Sequence, residues 1–257
     1  NATEDLCYRD QNASLTWRGK TIELVRDTTS GKFRLADDDG SKVDLVTNGY
    51  TGLYNNEQWK LTTPDGTQYW FGKTRLPGWQ AGGATTSSVW GAPVFANRSA
   101  EPCYKTGGFA GSYCDMAWRW NLDYVVDPHG NSMSYWYQTE NNYTKLGGGS
   151  AVRLYNRAGF LKRIDYGTRA GNEATATAPM KVDFEIANRC LLSCRDSDGK
   201  PIAGNWPDVP WDLACNAAPC NNSPTPTFWS INRLYTVTTS VWAGTQYQPV
   251  DKWGLGH

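Results

Sequence analysis

The chain has 257 residues, and its 25 Lys and Arg balance 25 Asp and Glu to leave no net charge. That balance supplies no positive field of the kind that recruits nucleic acid or an acidic membrane surface, and no apolar run approaches the roughly 18 residues of a spanning helix. A chain of this length buries roughly 70–75% of its unfolded surface, so it needs no metal or disulfide merely to reach a core.

From Ile22 to Phe71 the pattern is strand, turn, strand. Lys20-Thr-Ile-Glu-Leu-Val, Lys32-Phe-Arg-Leu, Lys42-Val-Asp-Leu-Val and Gln58-Trp-Lys-Leu all alternate apolar and polar residues at period two. Two of the turns end in Gly40 and Gly66, and the second carries Pro64-Asp-Gly, where proline presets the backbone and glycine takes the positive φ that lets the strand return. Residues 1–76 therefore read as an amino-terminal β-meander. From 77 to 115 the alternation lapses into Pro, Gly, Ser and Thr, which predicts a long irregular insertion tied down by Cys103 and Cys114. Residues 116–257 resume the hairpins: Leu122 to Tyr137 around Asp127-Pro-His-Gly130, then Ala158 to Gly167, Met180 to Ile186, and Phe228 to Trp242. A cysteine-rich loop at 188–222 interrupts them. No amphipathic helix longer than two turns is visible, and the fold class is all-β: repeated antiparallel hairpins in one long curved or spiralling sheet. The 13 Trp and 14 Tyr suit such a sheet, where cross-strand pairs of rings stabilise the pleated surface.

Six of the seven cysteines fall into close groups: Cys103 with Cys114, then Cys190, Cys194, Cys215 and Cys220. This predicts about three disulfides and an extracytoplasmic protein. The rival is zinc held by the last four thiols, which lack a compact ribbon around them. Connectivity within those four is not readable, and Cys7 is left over, either free or paired with another part of a longer chain. The amino-terminal Asn-Ala-Thr-Glu-Asp has no signal-peptide character, so a secreted form is expected to have lost its leader.

Gly159-Phe-Leu-Lys-Arg-Ile-Asp-Tyr-Gly, Trp120-Asn-Leu-Asp-Tyr-Val-Val-Asp-Pro-His-Gly-Asn and Arg233-Leu-Tyr-Thr-Val-Thr-Thr resemble the tyrosine and aspartate units of RHS/YD-repeat proteins. The block from Glu101-Pro-Cys-Tyr to Val126-Asp-Pro is similar to the region ahead of the main repeat array in large secreted actinobacterial RHS-type proteins. The resemblance runs from about Trp59 onward. It implies a β-strip that spirals into a hollow shell, in some members enclosing a toxic carboxy-terminal domain. These residues hold neither the self-cleaving core sequence nor a variable toxin segment, so the expected role is a piece of shell or its plug.

Chemistry is sparse. His129 sits in the turn where the other hairpins carry Asp39 or Asp65, which suits a turn residue better than a catalytic base; His257 is terminal. No Gly-x-Ser-x-Gly elbow, phosphate loop or dinucleotide fingerprint occurs, and no cofactor is expected. Asp115, Asp123, Asp127 and Glu140 near Trp118, Trp120 and Trp136 are candidate carboxylates for a glycosidase. Asp37-Asp-Asp-Gly40 and Asp196-Ser-Asp-Gly199 look faintly like calcium loops but read better as hairpin turns.

Three functions follow. The first is a non-catalytic structural and interaction segment of a secreted RHS-type protein, whose partner is the rest of a longer polypeptide or a neighbouring β-edge. In it Tyr124, Tyr135, Tyr137, Leu161, Ile164, Tyr166, Leu234 and Val237 are expected to stack between strands. The second is a glycan-binding module using the loop tryptophans Trp79, Trp90, Trp206 and Trp211. The third is the glycosidase.

Overall fold

In the computed structural model residues 4–190 and 192–256 are described. Among them lie fourteen strands: β1 (Ala13–Trp17), β2 (Lys20–Arg26), β3 (Phe33–Leu35), β4 (Lys42–Val46), β5 (Gln58–Thr62), β6 (Gln68–Phe71), β7 (Val89–Phe95), β8 (Tyr113–Trp120), β9 (Leu122–Val126), β10 (Asn131–Lys145), β11 (Val152–Arg169), β12 (Met180–Asn188), β13 (Asn232–Trp242) and β14 (Tyr247–Gly254). Helix is confined to single 3-10 turns, and no helix of the described residues is long and apolar enough to cross a membrane.

Twelve strands make one antiparallel sheet in the order β1-β2-β3-β4-β5-β6-β9-β10-β11-β12-β13-β14. The expected all-β fold and the hairpin reading are therefore what the chain adopts. Gly40, Gly66 and Gly130 all have positive φ, at 82°, 85° and 78°, as their turns require. The sheet runs without a break across the 77–115 segment, because β6 pairs directly with β9. That segment is also less irregular than its composition suggests. It contains β7, which pairs with β8 to form a separate two-stranded ribbon. Pro93 hides β7 from a sequence reading, yet a proline is tolerated on the side of a strand where no ladder bond is made. β14, with Pro249 inside it, is disguised in the same way and lies at the sheet's edge.

Register explains the two faces. Phe33, Val43, Leu61, Tyr69, Val125, Met133, Tyr166, Met180 and Val241 stand directly opposite one another in turn, one from each strand from β3 to β13 of the main sheet. Directly opposed residues share a face, so this is a single apolar row across the sheet. The next row, on the other face, reads Asp44, Lys60, Trp70, Tyr124, Ser134, Asp165, Lys181 and Ser240. Here Asp44 and Lys60 form an ion pair at 2.9 Å. The stacking residues of the sequence reading take their places accordingly: Tyr135 opposes Ile164, Tyr137 opposes Leu161, and Val237 opposes Phe184.

The apolar face is concave at the amino end. The rings of Trp17 on β1 and Tyr69 on β6 meet edge-on at 4.6 Å although four strands separate them in the sheet. Only a strong curl brings them together, and it encloses a core of Leu24, Phe33, Leu35, Val43, Trp59 and Leu61. The β7–β8 ribbon lies across the same face further on. Its Trp90, 4% exposed, sits over Gly159 of β11. A Cβ at 159 would stand 2.5 Å from the Trp90 ring and 2.7 Å from the Gln138 carbonyl, so only glycine admits the ribbon. The amino-terminal segment fastens the ribbon from its far side, with Phe95 N–H donating to the Leu6 carbonyl and Tyr8 N–H to the Phe95 carbonyl, both at 2.7 Å.

Disulfides join Cys103 to Cys114, Cys190 to Cys194 and Cys215 to Cys220. All three are local staples, and the four thiols of the zinc alternative are consumed as two bonds. Such bonds persist in oxidising surroundings. Cys7 belongs to the segment bridged to Phe95, where its thiol donates to the Asp5 carbonyl at 3.5 Å.

Candidate functional site

The four loop tryptophans do not form one platform. Trp90 and Trp206 are 4% and 3% exposed, so neither offers a ring face to a sugar. Trp206 packs edge-on against Trp211 at 5.0 Å, and Trp211 against Trp229 at 6.0 Å, as an anchor for the cysteine-rich loop. Trp79 differs. Its half-buried ring covers the Arg75 guanidinium at 3.8 Å, with Tyr50 on that guanidinium at 4.1 Å, and Tyr50 is 61% exposed. These tryptophans lie outside the alternating stretches of the sequence, but a loop that returns over a sheet buries its rings as readily as a strand does.

The carboxylates are tied to structure one by one. Asp115 pairs with Arg153. Asp127 accepts from the backbone of His129 and Asn131 in its own turn, each at 2.8 Å, with the His129 side chain left exposed. Asp123 is fully buried and accepts four hydrogen bonds: from the N–H groups of Lys73 (3.1 Å) and Thr74 (2.8 Å) and from the hydroxyls of Thr86 and Ser88, both at 2.7 Å. Burial pushes its carboxyl above the ordinary value and these donors pull it back. Glu140 is the counterpart on β10. It forms an ion pair with Arg157 at 3.0 Å, with both side chains buried, and accepts from the Ser230 hydroxyl and from Ile231 N–H at 3.1 Å. Arg157 in turn lies 3.6 Å over the Trp229 ring and donates to the Trp229 carbonyl at 3.0 Å. Asp123 thus clamps residues 73–88 to the sheet, and Glu140 clamps residues 229–231. Neither carboxylate lines the large groove described below, which separates both from the cleft that a glycosidase needs.

The aspartate turns explain the two calcium-like loops. Asp38 and Asp39 accept from Gly40 N–H and Ser41 N–H at 2.9 and 3.0 Å, and Asp196 accepts from Asp198 N–H and Lys200 N–H at 3.0 and 2.8 Å. Among the described residues no group of three or more His, Cys, Asp or Glu is placed to hold a metal. His257 lies outside the described residues. The turn carboxylates Asp27, Asp39, Asp65 and Asp127 are all held below the ordinary 3.8 by hydrogen bonds from their own turns. A depressed folded value gives stability that is present above 3.8 and lost as pH falls through the folded value. The melting temperatures of the wild type and Asp65→Ala are therefore expected to converge on acidification below pH 3.8. A constant gap between them down to pH 2, taken as roughly the lower end of carboxylate titration, would refute that account.

Two surfaces remain. The first is a groove of about 1160 Å³ between the curled face of β1–β6 and the β8 side of the ribbon, floored by Leu24, Val43 and Leu61 and walled by Met116 to Trp120. Glu57 lines it half-buried. Burial raises this carboxyl, while its hydrogen-bond donors among the described residues are the amides of Gln11 and Asn55, at 3.5 and 3.4 Å. The second is the carboxy-terminal end of the apolar face. Leu61 in the apolar row is 1% exposed, but Val241 in the same row is 40% exposed. Beyond it on β14 lie Val250 at 60% and Trp253 at 51%. Composition and periodicity mark these residues as strand-formers, and nothing local in the sequence tells which apolar strand stays uncovered.

No family model matches the chain, and no curated protein matches it. Among solved structures, the N-terminal domain of effector protein SpvB from Salmonella typhimurium strain LT2 is similar at 12% identity, over 90% of this chain and 63% of that one, with a TM-score of 0.45. The crystal structures of TcdB2-TccC3-Cdc42 and TcdB2-TccC3-TEV are similar at 11% and 13% identity, each over 96% of this chain and 11% of the other, with TM-scores of 0.40. The chain thus spans under two thirds of SpvB's domain and about a tenth of the TcdB2-TccC3 chains.

Proposed function

We propose that this chain is a non-catalytic length of β-wall in a secreted RHS/YD-type protein, and that another part of the polypeptide completes its uncovered apolar face. The observation that carries the reading is the apolar row from Phe33 to Val241. Its amino-terminal half is sealed by the curl and flanked by the ribbon, whereas its last member is 40% exposed beside the open strand β14. A single-layer sheet needs cover on its apolar side, and contiguous exposed apolar surface marks an interaction site. On this reading the concave side is the interior of a shell, against which a toxic domain of the longer protein would lie, and the resemblance in the tyrosine and aspartate units supports it. The buried carboxylates, used as clamps for long loops, give the wall rigidity and no catalytic pair.

The isolated chain is expected to self-associate through this face. Sedimentation at increasing concentration should show oligomers, and the double variant Val241→Lys, Trp253→Lys should be monomeric with an unchanged melting temperature. A wild-type chain that stays monomeric and binds no apolar dye would overturn the reading. For the glycan alternative, Trp79 retains partial exposure beside Tyr50, and tryptophan fluorescence of Trp79→Phe across a polysaccharide panel addresses it directly.

A further inference from the structure

The β7–β8 ribbon has a second open edge, and hydrogen-bond parity identifies its groups. In an antiparallel pair the N–H and C=O of one residue point to the same side. Phe95 directs both of its groups to Leu6 and Tyr8, and Gly91 N–H donates to Asn156 Oδ1 at 2.9 Å, so both residues face away from β8. Pro93 lies between them in the same parity, where its missing N–H forfeits no bond. Their partners on β8 are Tyr113, Asp115 and Ala117, which must therefore direct their own N–H and C=O away from β7. Among the described residues no other strand pairs with β8. About 13 Å of edge is left open by this count.

That edge leads into the groove, because Ala117 is one of its walls. At about 1160 Å³ the groove exceeds the roughly 300–1,000 Å³ of small-molecule pockets. Six charged residues line it, Asp10, Glu23 and Glu57 against Arg9, Lys60 and Arg119, and of these only Glu57 and Lys60 are partly buried. Lys60 reaches the opposite face to meet Asp44, and the Arg119 guanidinium is stacked 5.3 Å over Trp90 and bonds Asn121. Among the described residues half-buried Glu57 has no ion pair.

We propose that the outer edge of β8 and the adjoining groove take up an extended polypeptide segment by strand addition, with alternating apolar side chains on the groove floor and a lysine or arginine meeting Glu57. The backbone edge supplies affinity and the floor supplies side-chain choice, as in other strand-addition sites. This site is independent of the carboxy-terminal face and stands or falls without it.

The probe is a fluorescein-labelled nine-residue peptide, Val-Thr-Val-Thr-Lys-Thr-Val-Thr-Val, followed by anisotropy with the full chain. Binding should saturate, and amide exchange at Tyr113, Asp115 and Ala117 should slow in the complex. A version N-methylated on its edge-pairing amides, and one with glutamate for lysine, should each bind at least about 10-fold more weakly, the loss of one charge-assisted hydrogen bond or more. Glu57→Gln should abolish the difference between the lysine and glutamate peptides. Absence of saturation up to millimolar peptide, indifference to N-methylation, or protection on β14 instead of β8 would each overturn the proposal. So would concentration-dependent protection of the same three amides without peptide, which would make a second copy of the chain the occupant.

Discussion

Asp123→Ala is expected to lower the stability by about 3–5 kcal/mol, since it leaves several buried donors unsatisfied at roughly 1–3 kcal/mol each. Four donors lose their acceptor at once, and two of them are backbone N–H groups, at a position where Asp123 itself is fully buried. Against a total of roughly 5–15 kcal/mol for a domain, this approaches global unfolding. The first structural consequence is release of residues 73–88, which precede β7 and carry the Thr86 carbonyl that accepts from Tyr137 N–H at 2.8 Å. Urea titration gives the magnitude, and limited proteolysis should cut first within 73–88. Unchanged stability would show that the four donors find other partners. Asp123→Asn adds a pH test. Because burial raises the folded carboxyl above 3.8, its contribution is complete below that value and declines as pH rises through the folded value. The stability gap between the wild type and Asp123→Asn should therefore narrow as pH rises above 3.8.

Glu140→Ala is expected to cost about as much, near 3–5 kcal/mol, for a different reason: it strands the buried Arg157 cation. Arg157 also lies on Trp229, so the strap at 229–231 should loosen, and Trp229 fluorescence should shift before the global transition. The double variant Glu140→Leu, Arg157→Met removes both charges and should recover most of the loss, since an apolar pair of similar volume avoids the desolvation of two ions. If the double variant is no more stable than Glu140→Ala, the pair acts through its hydrogen bonds to the strap and not through charge compensation. Tryptophan neighbours in the sequence make these two carboxylates candidates for a glycosidase. What disqualifies them is burial, which is a property of the surrounding chain.

The hairpins were legible because each is a local object. Period-two alternation and a Pro-Asp-Gly or Asp-Pro-His-Gly turn decide strand and return within about a dozen residues, as at Trp59–Phe71 and Leu122–Tyr137. The prolines in β7 and β14 defeat the same rule, since whether a missing N–H matters depends on which side of the strand is paired. Cysteine spacing showed that short loops would be stapled, and the local pairings left nothing for zinc.

By itself the sequence determined the all-β class, the order of hairpins and the polar-apolar alternation that divides the sheet into two faces, because these follow from neighbours along the chain. Only the tertiary structure decided which rings and carboxylates lie inside and where the apolar row runs out of cover. The crossing of the β7–β8 ribbon at Gly159, the clamps at Asp123 and Glu140, and the exposure of Val241 and Trp253 all depend on contacts between segments distant in sequence. Burial is a sum over those contacts, and no local pattern contains it.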